Sequence, residues 1–554
     1  MLKPNASPAT RFRFCSLTCL VGGLVLFVGC SQGEPKPAAF EPNMVHAMKY
    51  QIKDDVSYDQ ALQDANWVVD KMFGTPDEPK LPKVITDEED YGDLVSLERL
   101  DQAAGPFAEG RGLYRQYCAT CHGITGNGRG TTSAILNPYP RDYRMGVFKF
   151  KSTSRSAKPT RADMVHLIAN GIDGTAMKKI PELKDDDVEA LADYVVYLSI
   201  RGELERSLID YASQDLDLES GDRVLDYQLF GWIKAEAKQR SAKGEVPEDY
   251  EAPEFAPEDL VIDNQEIDED VFDDFRDIKE MAQWIVPGQT VAQELNDLKS
   301  LVTTYESKYK ATPPVDMDDS DEDDADDKEA VPPTWSERAE EMLEQIDFCL
   351  ESWEAAEDIV LDTADAWLEA EDEIIEVPEP PADIPVANSY AEFVELKNGD
   401  QADAMKKSIE RGQKLFVGKI ASCSKCHGEK GLGDGTTNDY DDWTKDWTTR
   451  VGLKPEDMDS LVPLLARGAL PPLNAKPRNF AEGVFRGGAK AEDLYRRIVA
   501  GIAGSPMPAA TFVEGQFEED DVWHLINFIR SVQVAPVVDE STPAQPEPQQ
   551  TAAK

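Results

Sequence analysis

Apolar and aromatic residues recur at i, i+3, i+4 and i+7 over Val188–Leu198 and again over Val522–Ile529. That period places one face of a helix against a core. A third stretch, Trp335–Glu376, sets Met342, Ile346, Leu350, Trp353 and Ile359 on one apolar stripe. A weaker helical pattern, Tyr58–Trp67, lies inside a polar segment from Ser31 to about Gly105 and predicts a helical arm with no assigned chemistry. The pattern predicts a mainly α chain.

Two of these helices close similar segments, and the internal repeat organises the sequence. Gly110-Arg-Gly-Leu-Tyr-Arg-Gln-Tyr117 and Arg411-Gly-Gln-Lys-Leu-Phe416 predict a short helix at the head of each repeat. Pro140-Arg-Asp-Tyr143 with Gly146-Val-Phe148 returns as Pro477-Arg-Asn-Phe480 with Gly483-Val-Phe485. Ile168-Ala-Asn-Gly-Ile-Asp-Gly-Thr-Ala-Met177 returns as Ile498-Val-Ala-Gly-Ile-Ala-Gly-Ser-Pro-Met507, in the same order. The predicted plan is a signal over 1–30, an extension over 31–104, a first domain over 105–200, an insert over 201–400, a second domain over 401–535 and a tail over 536–554. Within the insert, Asp316–Glu329 is nearly all acidic and is flanked by Pro313-Pro314 and Pro332-Pro333, so a disordered linker is predicted near 311–333. The Pro- and Gln-rich tail has the same character.

Charge follows this division. Residues 201–400 carry 59 of the 107 acidic side chains but only 15 of the 57 basic ones, and so 44 of the 50 net negative charges. A chain of this sign, with no basic stripe interleaved with aromatics, is no candidate for nucleic-acid binding. The N-terminus has Lys3, Arg11 and Arg13 ahead of an apolar run from Cys15 to Gly29, the n- and h-regions of an export signal. The run falls short of the roughly 20 apolar residues that span a bilayer. Leu26-Phe27-Val28-Gly29-Cys30-Ser31 resembles a bacterial lipobox, which implies a lipid anchor on Cys30; Phe27 stands where that pattern takes an aliphatic residue. A cleaved signal or a short uncleaved anchor are the alternatives, and each places the mature chain in the cell envelope.

Of the eight cysteines, four form two pairs: Cys118-Ala-Thr-Cys121-His122 and Cys423-Ser-Lys-Cys426-His427. In a C-x-x-C-H run two thiols add to the vinyl groups of haem and the histidine becomes an axial iron ligand. Structural zinc would need a nearby second pair of ligands, which neither repeat offers among five histidines in all. A redox dithiol would need a βαβ setting, which the pattern does not supply. Covalent attachment of two haems c, at Cys118, Cys121 and His122 and at Cys423, Cys426 and His427, is the expectation.

With these motifs the two repeats resemble class I cytochrome c domains: an N-terminal helix, C-x-x-C-H-G, a long loop delivering a methionine, and a C-terminal aromatic helix. The resemblance implies a fold of two such helical domains joined by a long acidic insert, part helical and part disordered. It also implies that the sixth iron ligand is Met177 in one repeat and Met507 in the other. Met507 is followed by proline as in the family pattern, whereas Met177 is followed by Lys178. Met145, Met164 and Met458 are expected to be core filler or exposed. His166 and His524 are rival axial ligands, on helical apolar patterns that are not equivalent in the repeat; His46 is expected on the surface. Arg141 and Arg478, equivalent in the repeat, are candidates to bind haem propionates. Gly123 and Gly428, directly after the histidines, suggest close backbone packing. Cys349 is expected to be a buried thiol or to pair between chains.

Functionally, these features predict electron transfer in a bacterial respiratory chain, as a carrier or as the cytochrome subunit of an oxidase or dehydrogenase, with redox proteins as partners. A di-haem enzyme such as a peroxidase is the alternative; it needs one iron site that opens, against which a methionine in both repeats argues. The acidic insert is expected to hold two carriers apart, to dock a basic partner, or to fold onto the first repeat.

Overall fold

The computed structural model describes residues 38–225 apart from 88–90, 93 and 109, a few residues between 291 and 303, and residues 335–534. The signal with Cys30, the acidic linker near 311–333 and the tail lie outside the described residues. Among the described residues the regular structure is helical, with isolated bridges and no sheet. No helix among them is long and apolar enough to cross a membrane.

The extension predicted as a helical arm packs into the first repeat's core. It contributes α1 (Met44–Asp54), α2 (Asp59–Phe73) and α3 (Leu97–Ala103). Along α2, Ala61, Ala65, Val68, Val69, Met72 and Phe73 keep the three-to-four-residue period and all are buried. The first repeat then supplies the one-turn helices α4 (Leu113–Tyr117) and α5 (Ala119–His122), followed by α6 (Arg161–Asn170) and the long α7 (Asp185–Asp215). The predicted boundary at 200 falls inside α7, which opens with three aspartates at the positive end of its dipole and has no proline to stop it. Asp193 on α7 is fully buried, and it accepts from the Ser96 N–H at 2.8 Å and from Arg99 Nε at 2.6 Å. This pins α3 against α7.

The described end of the acidic insert is also built into this core. On α8 (Trp335–Leu368), Ile346, Cys349, Trp353, Ala356, Val360, Ala364 and Trp367 are buried on one stripe. They belong to the same cluster as α2 and α7, with Trp353 edge-on to Trp67 and Trp367 edge-on to Phe148. At about 1.5–3 kcal/mol for each large apolar side chain, such burial makes α8 a brace of the first repeat. Residues 335–368 are therefore no spacer. The connector that follows pairs with the first repeat (Ser154 N–H to Glu373 O, 2.9 Å; Ile375 N–H to Ser152 O, 3.0 Å) and touches the second (Arg496 Nε to Ile375 O, 3.2 Å).

The second repeat has α9 (Tyr390–Asn398), α10 (Ala402–Val417), α11 (Ser424–His427), α12 (Asp442–Asp446), α13 (Ala491–Ala500) and α14 (Asp521–Val532). Its core joins Phe416 of α10 to Val522, Leu525, Ile526 and Phe528 of α14 and to Phe480 and Phe485. The two repeats touch directly. Trp443 Nε1 donates to the Asp142 carbonyl at 3.2 Å, and the Arg141 guanidinium lies 3.4 Å from the centre of the Trp443 ring. His46, expected on the surface, is 1% exposed at this junction: its Nε2 lies 2.6 Å from Asp210 and its Nδ1 3.7 Å from Asp446. Its position on the inner face of α1, between α7 and α12, is what buries it.

Candidate functional site

Each C-x-x-C-H run forms a single helical turn, α5 or α11, in which the histidine N–H donates to the carbonyl of the first cysteine (2.9 Å in both). His122 Nδ1 then faces the Arg141 carbonyl at 3.1 Å, and His427 Nδ1 faces the Arg478 carbonyl at 3.2 Å. An Nδ1–H bound to a carbonyl fixes the tautomer and leaves the Nε2 lone pair for a metal. Burial pushes the His122 imidazole down to about 4 and lowers His427 as well, so both stay in the neutral, ligating form. The ring of Tyr143 stacks on His122 (4.9 Å between centres, 11° between planes) and Phe480 on His427 (4.6 Å, 19°). Behind them Phe148 and Phe485 extend each stack at 6.1 Å.

The repeated Pro-Arg-x-aromatic motif thus acts first through its main chain. The carbonyl of the arginine orients the imidazole, and the aromatic two residues later fixes the plane of the ring. The side chains of Arg141 and Arg478 differ: the first stacks on Trp443, and the second reaches Glu482 at 3.2 Å with its buried Nε unpartnered.

Glycines at equal offsets, Gly123, Gly126, Gly128 and Gly130 against Gly428, Gly431, Gly433 and Gly435, form a second shared feature that sequence reasoning caught only at its first member. Gly128 and Gly433 donate to the histidine carbonyls at 2.9 and 2.8 Å. Gly130 and Gly435 donate to the carbonyls of Cys121 and Cys426 at 3.0 and 3.2 Å. At Gly126 and Gly431 φ is +68° in both, and a methyl group would come within 2.9 Å of Tyr143 or 2.7 Å of Phe480. The signal in the sequence was the equal spacing.

The four cysteines of the motifs are half-buried, with Cys118 and Cys423 packed against the two apolar cores. Burial pushes the Cys118 thiol up to about 12 and Cys423 up to about 11, which keeps them as neutral thiols rather than metal-binding thiolates. Among the described residues no three His, Cys, Asp or Glu side chains converge as a metal cluster. The donor set, a neutral imidazole with a free Nε2 beside two apolar-packed thiols, fits covalent haem.

Met177 and Met507 lie on matching loops. Ile172 N–H donates to the Met177 carbonyl at 2.7 Å and Ile502 N–H to the Met507 carbonyl at 3.1 Å, with Gly171, Gly174, Gly501 and Gly504 all at positive φ. Both methionines are half-buried. Among the rivals, His166 is exposed and bonds Asn170, while His524 Nδ1 is 2.7 Å from Ser408 Oγ on α10. Met164 is buried and Met458 is 44% exposed. Cys349 is buried within the α2–α7–α8 core, out of reach of another chain.

Residues 105–195 match the family model for cytochrome c oxidase, cbb3-type, subunit III, and residues 409–533 match that for cytochrome c. No curated protein matches the chain. Among solved structures, a chain of the Kuenenia stuttgartiensis reducing HAO-like protein complex is similar at 16% identity, over 79% of this chain and 97% of that one, with a TM-score of 0.32. The chain is therefore mainly helical with two cytochrome c domains, which imply two covalent haems c, electron transfer and a location outside the cytoplasm.

Proposed function

We propose, from two cytochrome c domains in direct contact, that this chain is a two-site electron relay of a bacterial respiratory chain, as carrier or as the cytochrome subunit of an oxidase or dehydrogenase. The observation that carries the reading is the duplicated site: histidine on an arginine carbonyl, aromatic stacked on the imidazole, methionine on a glycine-bounded loop. His122 with Met177 and His427 with Met507 would ligate the two irons. Cys118, Cys121, Cys423 and Cys426 would hold the haems covalently, and Arg141 and Arg478 would be the cations for their propionates. When bound, each haem would accept one electron and pass one on per cycle of its iron, at a potential that Met/His ligation raises relative to nitrogen ligands. The protein's part is to hold each imidazole neutral and oriented and to keep the aromatic wall behind it. Acylation of Cys30 would tether the relay to a membrane, with redox proteins as its partners.

The test is haem per chain after denaturation, together with optical and low-temperature magnetic spectra of the mature protein. Two low-spin haems, both with the methionine-to-iron charge-transfer band, are expected. A five-coordinate haem with turnover on peroxide would replace the relay by the enzyme reading.

A further inference from the structure

The two methionine loops do not face solvent alone; each is met by the other domain. Arg155, on the first domain's Ser152–Arg155 segment, donates from Nη1 to the carbonyls of Ile502 at 2.9 Å and Met507 at 2.7 Å, and from Nη2 to that of Ser505 at 2.9 Å. Arg486 of the second domain donates from Nη2 to the Gly174 carbonyl in the first domain's loop at 3.2 Å. The packing beneath is reciprocal too. A methyl on Gly174 would stand 2.7 Å from Val484, and one on Gly504 would stand 3.1 Å from Val147. Val147 and Val484 are equivalent in the repeat, each in a Gly-Val-Phe run. The glycine–valine contact thus occurs twice with the domains exchanging roles, although at Gly504 the second domain's own Trp443 stands closer.

We propose that Arg155 and Arg486 are positioning residues that act across the domain interface, each holding the loop that presents the other domain's axial methionine. The inference rests on Met177 and Met507 being the ligands. Inside the Met507 loop, Ile502 N–H already bonds the Met507 carbonyl and Ser505 N–H the Ile502 carbonyl. Arg155 supplies a second donor to the Met507 oxygen, joins the N–H and Oγ of Ser505 on the Ile502 oxygen and adds the carbonyl of Ser505, closing the turn from outside with charge-assisted bonds. Its own position is set by the bonds of Ser152 and Ser154 to the connector at 373–375, so the end of the insert registers one domain against the other's loop. With three bonds against one, the Met507 loop depends on its clamp more than the Met177 loop does. The domains then influence each other's ligand field without any shared ligand.

The experiment uses the haem-loaded full chain and two readouts: the methionine-to-iron charge-transfer band and the rate at which imidazole binds each ferric haem. Met507→Ala first identifies the second domain's share of the band; if the band survives unchanged, the ligand assignment is what falls. With that share identified, Arg155→Ala is expected to weaken it and to speed imidazole binding at the second haem by about tenfold, leaving the first haem unchanged. Arg486→Ala should act at the first haem only, and more weakly. Arg155→Gln, which keeps one amide donor, should fall between, and it replaces Arg155→Ala if that variant fails to load haem. No change at the second haem, or an equal change at both, overturns the clamp, the latter because it would report only a loosened interface.

Discussion

Beside the stacked rings of Tyr143 and Phe480, the imidazoles of His122 and His427 are set by atoms that carry no side-chain identity: the carbonyls of Arg141 and Arg478 and the space left by glycine. This explains which parts of the site were legible. Cysteines and histidines at C-x-x-C-H spacing are fixed by the covalent chemistry itself, so they stand out in one sequence. A carbonyl acceptor is available from any residue, so the repeated arginine pointed to its guanidinium while the shared contact lay in its backbone. The glycine at 431 gives a direct test. With φ at +68° and Phe480 2.7 Å from where a methyl group would sit, Gly431→Ala combines left-handed strain with overpacking, together about 2–4 kcal/mol. Phe480 should be driven off the His427 ring. The expected outcome is a lower melting temperature and a shifted reduction potential for the second haem only; an unshifted potential would mean that the aromatic stack does not tune the iron.

Between elements, the two domains solve one packing problem differently. In the second, α10 crosses α14 so closely that Gly412 lies against the His524 carbonyl, with Arg411 forked onto Asp521 at 2.8 and 2.7 Å. In the first, the helix ahead of the cysteines is only Leu113–Tyr117, and α3 from the extension supplies the buried Leu100 and Ala103 against α7. The apolar period located the terminal helices, but helix length was not legible, because the interruption after residue 103 and the run of α7 to Asp215 depend on partners distant in sequence. A methyl at Gly412 cannot be absorbed by a side-chain movement, since what it meets is backbone. Gly412→Ala should force α10 and α14 apart, costing about 1–3 kcal/mol by overpacking. Thermal unfolding followed at the second haem should shift down while the first stays in place; coincident shifts would mean that the two domains unfold as one unit.

At the scale of the whole molecule, composition separated an acidic middle from two repeats, and it could not show that the extension and the end of the insert belong to the first core. Their burial depends on contacts between residues hundreds of positions apart, such as Trp67 of the extension edge-on to Trp353 of the insert, 6.4 Å between ring centres. Asp446 is where the domains are tied. Arg206 forks onto its carboxylate at 3.3 and 3.1 Å, and Lys49 and His46 approach from α1. Burial alone would raise its pKa, yet Arg206 and Lys49 beside it outweigh that and hold the carboxyl well below the ordinary 3.8. Above 3.8 the carboxylate is ionised in both folded and unfolded chains and its full stabilisation is present; as pH falls below 3.8 the unfolded chain is protonated before the folded one, and the stabilisation is lost. Asp446→Asn leaves Arg206 and Lys49 facing a neutral group, a loss of about 3–5 kcal/mol for a broken buried pair. The deficit of this variant in denaturant unfolding should be constant from pH 8 to 5 and should narrow as the pH drops from 4 toward 3. Hydrogen exchange in α1 should rise in the variant at neutral pH. A deficit that does not narrow in acid would show that Asp446 ties the domains by shape and not by charge.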